Sequence, residues 1–386
     1  MWKPIAISIA FLIATASSAV AQEHDHAQML RDMAAANGWQ FMQDGVVVAM
    51  FNDQGSPRGG TDFVVPNWWM LMATRKTSRG TLTLSGMASL DAATVGGDGY
   101  RELFQAGEVY HGQPIVDRQH PHDLFMQLSA AWRMPLSSST GVTLTAAPVG
   151  SPALGPIAFM HRASAFDNPM APLTHHLFDS THISFGVVSA AVDHGPWTVE
   201  ASVFNGREPD EHRWDIDLAP LDSVSGRVWF KPNAEWAFQV STGHLVAPEL
   251  LVPGNIERTT ASASWTRAGG GNVQSVTFGY GRNDTSYDTP RTGAFLEGVR
   301  HTGLNTIYGR LEVTQLDHAI AEVTVTAFTL GGVRDILSGH GFENGVGAAV
   351  TLYATPGLLN PSYGPHPASF QVFFRLRRAE HMVNMQ

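Results

Sequence analysis

The sequence predicts an all-β fold, a transmembrane antiparallel barrel of about sixteen strands (roughly fourteen to eighteen) whose two longest loops plug or constrict the mouth. Three observations predict it. Apolar and polar residues alternate with period two from about residue 45 to the C-terminus. The connections between alternating segments are short and long in turn, as in barrels with short periplasmic turns and long external loops. After the first 21 residues no apolar stretch is long enough to cross a bilayer as a helix. A chain that is in a membrane without such a helix must close its strands into a barrel, because lipid satisfies no backbone polar group.

Composition narrows the rest. The 386 residues carry a formal charge of −10, which argues against a nucleic-acid partner. There is no Cys, so disulfides, thiolate metal sites and Cys nucleophiles are excluded together.

The chain begins with Lys3, an apolar run from Ile5 to Ala14 and the small-x-small triplet Ala19-Val20-Ala21. That is the pattern of a cleaved export signal, and the run is half the ~20 residues of a membrane helix. Residues 1–21 are read as the signal, with cleavage before Gln22, and 22–44 as an N-terminal periplasmic segment. A mature start Gln22-Glu23-His24 offers a free amine and an imidazole to Cu(II) or Ni(II). The barrel is expected over 45–377, with 378–386 as a C-terminal tail.

Within the barrel the sharpest strands are 81–90, 260–266, 306–314 and 370–377. In the third, Ile307, Leu311 and Val313 oppose Tyr308, Arg310 and Glu312; in the fourth, Phe370, Val372, Phe374 and Leu376 oppose Gln371, Arg375 and Arg377. Twelve further strands are expected near 46–51, 67–75, 123–133, 141–146, 181–191, 197–204, 223–230, 235–242, 272–281, 294–300, 322–330 and 345–354. Mid-strand Arg310, Glu312, Glu200 and Arg227 suit a watery lumen better than a sandwich core. Trp68, Trp69, Trp132, Trp197, Trp229, Trp236 and Trp265 at strand ends suit interfacial girdles. Segment 331–344 reads as an unusually long periplasmic turn, and the charge-dense stretch Arg207–Arg213 as a solvated external surface.

The chemistry sits in loops 91–122 and 147–180. Seven of the 17 His fall between His111 and His182. The candidate divalent-metal ligands are His120, His122, Asp123, His175, His176, Asp179 and His182. Imidazole and carboxylate suit Cu, Zn or Ni, and a Cys-free exported chain has no thiolate to offer. In extended chain His120 and His122 share a face, and strand parity aims Asp123 and His182 at the lumen. The same residues also suit a plug held by hydrogen bonds. Ser180 beside Asp179 and His182 is the one arrangement with hydrolase character, but on a straight strand Ser180 and His182 diverge too far to bond.

The runs GYRELFQAGEVYHGQPIVDRQHPHDLFMQL (99–128) and FMHRASAFDNPMAPLTHHLFDSTHISFGVV (159–188) resemble a group of uncharacterised outer-membrane barrel proteins of Gram-negative bacteria, with DRQHPHD at 117–123 as the recognisable motif. The resemblance covers the two loops and their flanking strands. It implies an outer-membrane location and carries no activity. A looser likeness is to exported metal-resistance barrels with His-bearing N-termini, whose long Met-rich leader is absent here.

Together these readings expect a channel or transporter for small solutes or ions. Its partners would be outer-membrane lipid, a small solute or metal ion, and further copies of itself in a homo-oligomer. The alternatives are a barrel hydrolase and a non-transporting structural barrel.

Overall fold

Alternation puts one set of side chains on each face of an extended chain, and sixteen alternating segments pair edge to edge into one closed wall. The computed structural model describes residues 38–285, 289–317, 319–339 and 341–378. The wall runs through β1 (Trp39–Gly55), β3 (Asn67–Thr77), β4 (Gly80–Ala88), β7 (Phe125–Pro135), β8 (Thr140–Gly150) and β9 (Ser184–His194). It continues through β10 (Trp197–Phe204), β11 (Ser223–Phe230), β12 (Trp236–Leu245), β13 (Ile256–Gly269) and β14 (Asn272–Thr285). It ends with β15 (Arg291–Thr302), β16 (Asn305–Gln315), β17 (Thr324–Gly339), β18 (Phe342–Ala354) and β19 (Ala368–Arg378). Each strand is antiparallel to the next, and β19 closes the barrel on β1, from Val46 opposite Arg377 to Gly55 opposite Ala368. Three more strands belong to loops: β2 (Gly60–Val64) folds back on β1, and β5 (Tyr100–Tyr110) and β6 (Gln113–Gln119) form a separate hairpin.

The two faces invert the usual order of a water-soluble protein. Phe370, Val372 and Phe374 of β19 are exposed, as are Val346, Val350 and Leu352 of β18 and Ile307, Leu311 and Val313 of β16. Ser369, Gln371, Arg375, Arg377, Arg310 and Glu312 are buried inside. An apolar outer band over a polar interior is the pattern of a barrel facing lipid. At the short-turn end Trp197, Phe230, Phe238 and Trp236 form a continuous aromatic row, with ring centres 4.4, 6.2 and 5.6 Å apart. The tight turns there need positive φ, which Gly270 (+59°) and Gly271 (+76°) supply between β13 and β14.

Several expectations are corrected. Trp68 and Trp229 face inward instead of joining the girdle, because their strand parity matches the lumen face. Trp68 lies edge-on to His161 at 4.8 Å, and Trp229 donates to Glu200 at 3.1 Å. Segment 331–344 is mostly strand, since β17 continues to Gly339 and β18 begins at Phe342. β1 starts at Trp39, so the barrel takes in the end of the segment expected to be periplasmic. Asp123 precedes β7, and His182 closes a 3-10 turn (Ser180–His182) before β9, so neither is aimed by strand parity. The signal segment, the Gln22-Glu23-His24 chelate and residues 379–386 lie outside the described residues.

The lumen is filled by the protein itself. The β4–β7 connection (89–124) and the β8–β9 connection (151–183) fold inward and bond to polar side chains of the wall. The Ala153 and Gly155 amides donate to Ser202 and Ser241 at 2.7 and 2.8 Å. Arg162 donates to Glu297 at 2.6 Å, and the Ser164 hydroxyl donates to Glu297 at 2.8 Å with Thr277 Oγ1 2.7 Å away. Asn52 donates to the Arg101 carbonyl at 2.7 Å. Asp167 is paired with Arg375 and with Arg377. Of the mid-strand charges, Arg227 and Arg310 donate to the plug carbonyls of Gly155 and Met170, Glu312 accepts from Thr174 of the plug, and Glu200 pairs with Arg227 within the wall. Where the plug presses closest, the wall lacks side chains. A Cβ on Gly281 would lie 2.6 Å from the Leu177 carbonyl, and one on Gly293 2.6 Å from the Leu177 side chain.

Candidate metal centre

Two chain segments supply the site. His120 and His122 follow β6, where Pro121 stiffens the His-Pro-His triplet. His175 and His176 lie on a one-turn helix (His175–Phe178), and His182 on the 3-10 turn after it. Docking of Leu177 and Phe178 on the wall glycines sets the depth of that helix. Five imidazoles converge. Ring centres are 5.8 Å apart for His122 and His182, 5.3 Å for His182 and His175, 6.0 Å for His175 and His120, and 6.5 Å for His120 and His122, closing a quadrilateral. His176 lies outside it, 5.2 Å from His175 and 5.7 Å from His120.

Three rings of the quadrilateral are held by short hydrogen bonds through Nδ1, and the fourth, His120, faces the Pro121 carbonyl at 3.4 Å and the Glu108 carboxylate. His122 Nδ1 is 2.8 Å from Asp91 Oδ2, and His175 Nδ1 is 2.7 Å from Asp179 Oδ1. His182 Nδ1 donates to the Asp179 carbonyl at 2.8 Å, and His120 Nδ1 is 3.2 Å from Glu108 Oε1. An acceptor at Nδ1 fixes the tautomer that leaves the Nε2 lone pair free, which is the arrangement of metal-binding histidines. Among the described residues, Nε2 of His122, of His182 and of the outlying His176 is buried with no hydrogen-bond partner. Such orphaned acceptors are costly unless something fills the site.

Burial, with the neighbouring positive groups, holds His120 and His182 well below the ordinary imidazole range. Burial also lowers His175, against the opposing pull of Asp179. Neutral rings are what a metal requires. Burial would raise Asp179, but His175 and Arg162 outweigh it and keep this carboxylate below its usual range. His176 differs. Burial opposes its charge, yet Glu208 at 3.2 Å raises it, and its Nε2 lies where a Cβ on Gly107 would be only 2.2 Å away. His176 is therefore an ion-pair partner.

Of the seven expected ligands, the fold brings the five histidines together and places Asp179 behind His175. Asp123 turns away to Arg213 at 3.4 Å. Arg213 also binds Glu108, and burial lifts both acids to about 7. The stretch Arg207–Arg213 is thus not simply a solvated surface, because Glu208 and Arg213 fold in to hold His176 and Glu108. Sequence reasoning missed Asp91, Glu108 and Glu208. No local signal marked them, because each acts across a loop contact that only the fold creates. The Ser180 hydroxyl accepts from Arg258 at 2.9 Å, so it faces a cation and not a base.

An ion with bonds of 2.0–2.1 Å to four tetrahedral imidazoles sets their ring centres about 5.2 Å apart. The sides of the quadrilateral are wider, 5.3 to 6.5 Å, and among the described residues no three of its rings already bring ligand nitrogens within 4.8 Å of one another, so the two loops must draw together to hold an ion. Among the described residues, the acidic group whose ligand atoms already lie within 4.8 Å of one another is Asp210, Asp215 and Asp217, on the β10–β11 loop at the surface.

No family model matches the chain, and no curated protein matches it. Its fold is similar to that of solved outer-membrane barrels. An anion-selective porin from Comamonas acidovorans matches with a TM-score of 0.55 at 10% identity, over 88% of this chain and 99% of that one. A loop-deletion form of OmpT from Vibrio cholerae matches at 0.51 and 6%, over 88% and 100%. The trimer form of OmpT matches at 0.50 and 6%, with the same coverage. These likenesses establish a porin-type sixteen-stranded barrel.

Proposed function

We propose that this chain is an outer-membrane channel for small solutes or ions, closed by its own two inward loops, and that a divalent ion (Zn, Cu or Ni) binds those loops through His120, His122, His175 and His182. The observation that carries the reading is the imidazole quadrilateral, with Nδ1 of His122, His175 and His182 anchored by hydrogen bonds and, among the described residues, the buried Nε2 atoms of His122 and His182 left without partners. A barrel of this strand number leaves room for a pore unless loops fill it. An ion joining the 89–124 loop to the 151–183 loop sets how tightly they close. Asp179 and Asp91 act as positioning residues behind the rings. Assembly as trimers, the form named for one OmpT structure, belongs to this reading and is checked by the mass of the detergent-purified barrel.

The test is Zn(II) titration calorimetry on the refolded full chain, beside planar-bilayer conductance with and without Zn(II). The reading expects one bound ion, lost in a His122→Ala/His182→Ala variant, and conductance that micromolar Zn(II) alters. Stoichiometric binding retained in that variant overturns the ligand assignment. A second reading, a barrel in which the ion is a fixed structural part, draws on the buried Arg162–Glu297–Arg310 network that clamps plug to wall. It expects Zn(II) binding and a silent bilayer.

A further inference from the structure

One side of the lumen wall carries a different set of soft donor atoms. Met42, Met70, Met72, Met87, Met126 and Met160 lie together in one buried cluster with Trp68, Phe159 and Phe185. Met42 is directly opposite Met72 across β1 and β3. Met70 is directly opposite Met87 across β3 and β4. Met70 and Met72 share the inner face of β3, two residues apart. Met126 lies at the β4–β7 bulge beside Gln127, the partner of Met87. The side chains thus form a column from Met126 and Met87, near the long-loop end, to Met72 and Met42 nearer the short turns. Directly opposed Cβ atoms lie about 4.5–5.5 Å apart, a span that two flexible thioether stems close readily around one ion.

The composition of this wall is unusual within the molecule. Elsewhere the inner face is polar, as with Gln239, Ser241, Thr260 and Thr277. Apart from Met50 of β1, where it is apolar it uses other residues, such as Val325 and Tyr353 in one cluster and Val187, Phe204 and Leu245 in another. Methionine supplies six of the thirteen buried members here, against 14 of 386 residues in the chain. A cavity lined by His122, Asp91, Trp68 and Met160 reaches from the imidazoles to the plug-side edge of this cluster, at Met160. Buried Asp44, opposite Met70, adds a carboxylate at the same level.

We propose that the methionine column is a binding site for a soft monovalent ion, Cu(I) or Ag(I), and forms a thioether ladder between the imidazole cluster and the short-turn mouth. Thioethers select such ions over Zn(II), which takes the harder imidazole set. Imidazole also accepts Cu(I) and Ag(I), so one ion passes between the two donor sets with no change of oxidation state. The connection to the imidazoles rests on the metal-binding reading above; the thioether site does not.

The test is Ag(I) titration calorimetry of the refolded full chain in chloride-free buffer, with X-ray absorption on the bound silver. The variants are Met42→Leu/Met72→Leu, Met70→Leu/Met87→Leu and all four together. Leucine nearly conserves volume and apolar character, so the packing around each site is kept. The proposal expects sulfur neighbours around silver in the wild type. It expects each pair to lose at least tenfold in Ag(I) affinity and to leave Zn(II) binding unchanged. It also expects His122→Ala/His182→Ala to lose Zn(II) and keep Ag(I). Ag(I) affinity in the fourfold variant within twofold of wild type, or silver without sulfur neighbours, overturns it and leaves the methionines as packing. If the fourfold variant does not refold, the two pairs and the wild-type absorption spectrum decide by the same criteria. Silver bound without zinc refutes the imidazole reading alone; zinc bound without silver refutes this one alone.

Discussion

Glu297 is where the plug is most firmly joined to the wall, and Glu297→Gln is the substitution that measures the join. Its carboxylate accepts from Arg162 Nε at 2.6 Å and Ser164 Oγ at 2.8 Å, both on the plug, and from Arg310 Nε of β16 at 3.1 Å. All these side chains are buried. Breaking a buried ion pair by removing one partner costs about 3–5 kcal/mol. Arg162 keeps Asp179 at 2.9 Å and Arg310 keeps the Met170 carbonyl at 3.1 Å, so the lower end, about 3 kcal/mol, applies. At about 1.4 kcal/mol per decade, that raises the population with a released plug roughly 150-fold, while the wall ladder is untouched. Hydrogen exchange with mass spectrometry reads it directly: amides in 157–170 should exchange about a hundredfold faster, and those of β13 and β14 at the wild-type rate. Glu235→Gln, which opens an exposed pair with Arg267 at 2.8 Å, is the control and should cost under about 1 kcal/mol. Exchange of 157–170 changed less than threefold by Glu297→Gln would refute the assignment of the plug's stability to this network.

Three other outcomes are expected. Asp91→Asn, which removes the charged anchor of His122, should weaken Zn(II) binding about 10–100-fold in calorimetry without changing the heat-shift of the folded barrel on a gel. Gly281→Ala places a methyl 2.6 Å from the Leu177 carbonyl, so it should displace the His175–Phe178 turn, speed exchange of its amides and weaken Zn(II) binding. Tyr363→Phe removes a hydroxyl 3.0 Å from Asp117 Oδ1 and should loosen the β5–β6 hairpin by about 1–2 kcal/mol, seen as faster exchange over 100–119.

The wall was legible in the sequence because alternation is a local property. The face carrying Ile307, Leu311 and Val313, and the opposite one carrying Tyr308, Arg310 and Glu312, follow from period two alone, and the structure keeps both. The imidazole cluster was half legible. His120-Pro121-His122 and His175-His176 announced themselves by composition, but their meeting depends on how two loops fold into a lumen, which no periodicity encodes. That is why Asp123, read by strand parity, turns out to face Arg213. The methionine column was not legible at all. Its members come from β1, β3, β4, β7 and the plug, and only the register of Met42 with Met72 and of Met70 with Met87 makes them neighbours. Trp68 misled for a related reason, since position at a strand end does not reveal which face a tryptophan takes.

The central claim is that an ion belongs among the four imidazoles. Anomalous diffraction at the zinc edge, from crystals of the refolded barrel grown with Zn(II), tests it most directly. A peak is expected about 2.1 Å from the Nε2 atoms of His122 and His182, completed by His175 and His120. A peak confined to Asp210, Asp215 and Asp217 at the surface, or none at all, would contradict it.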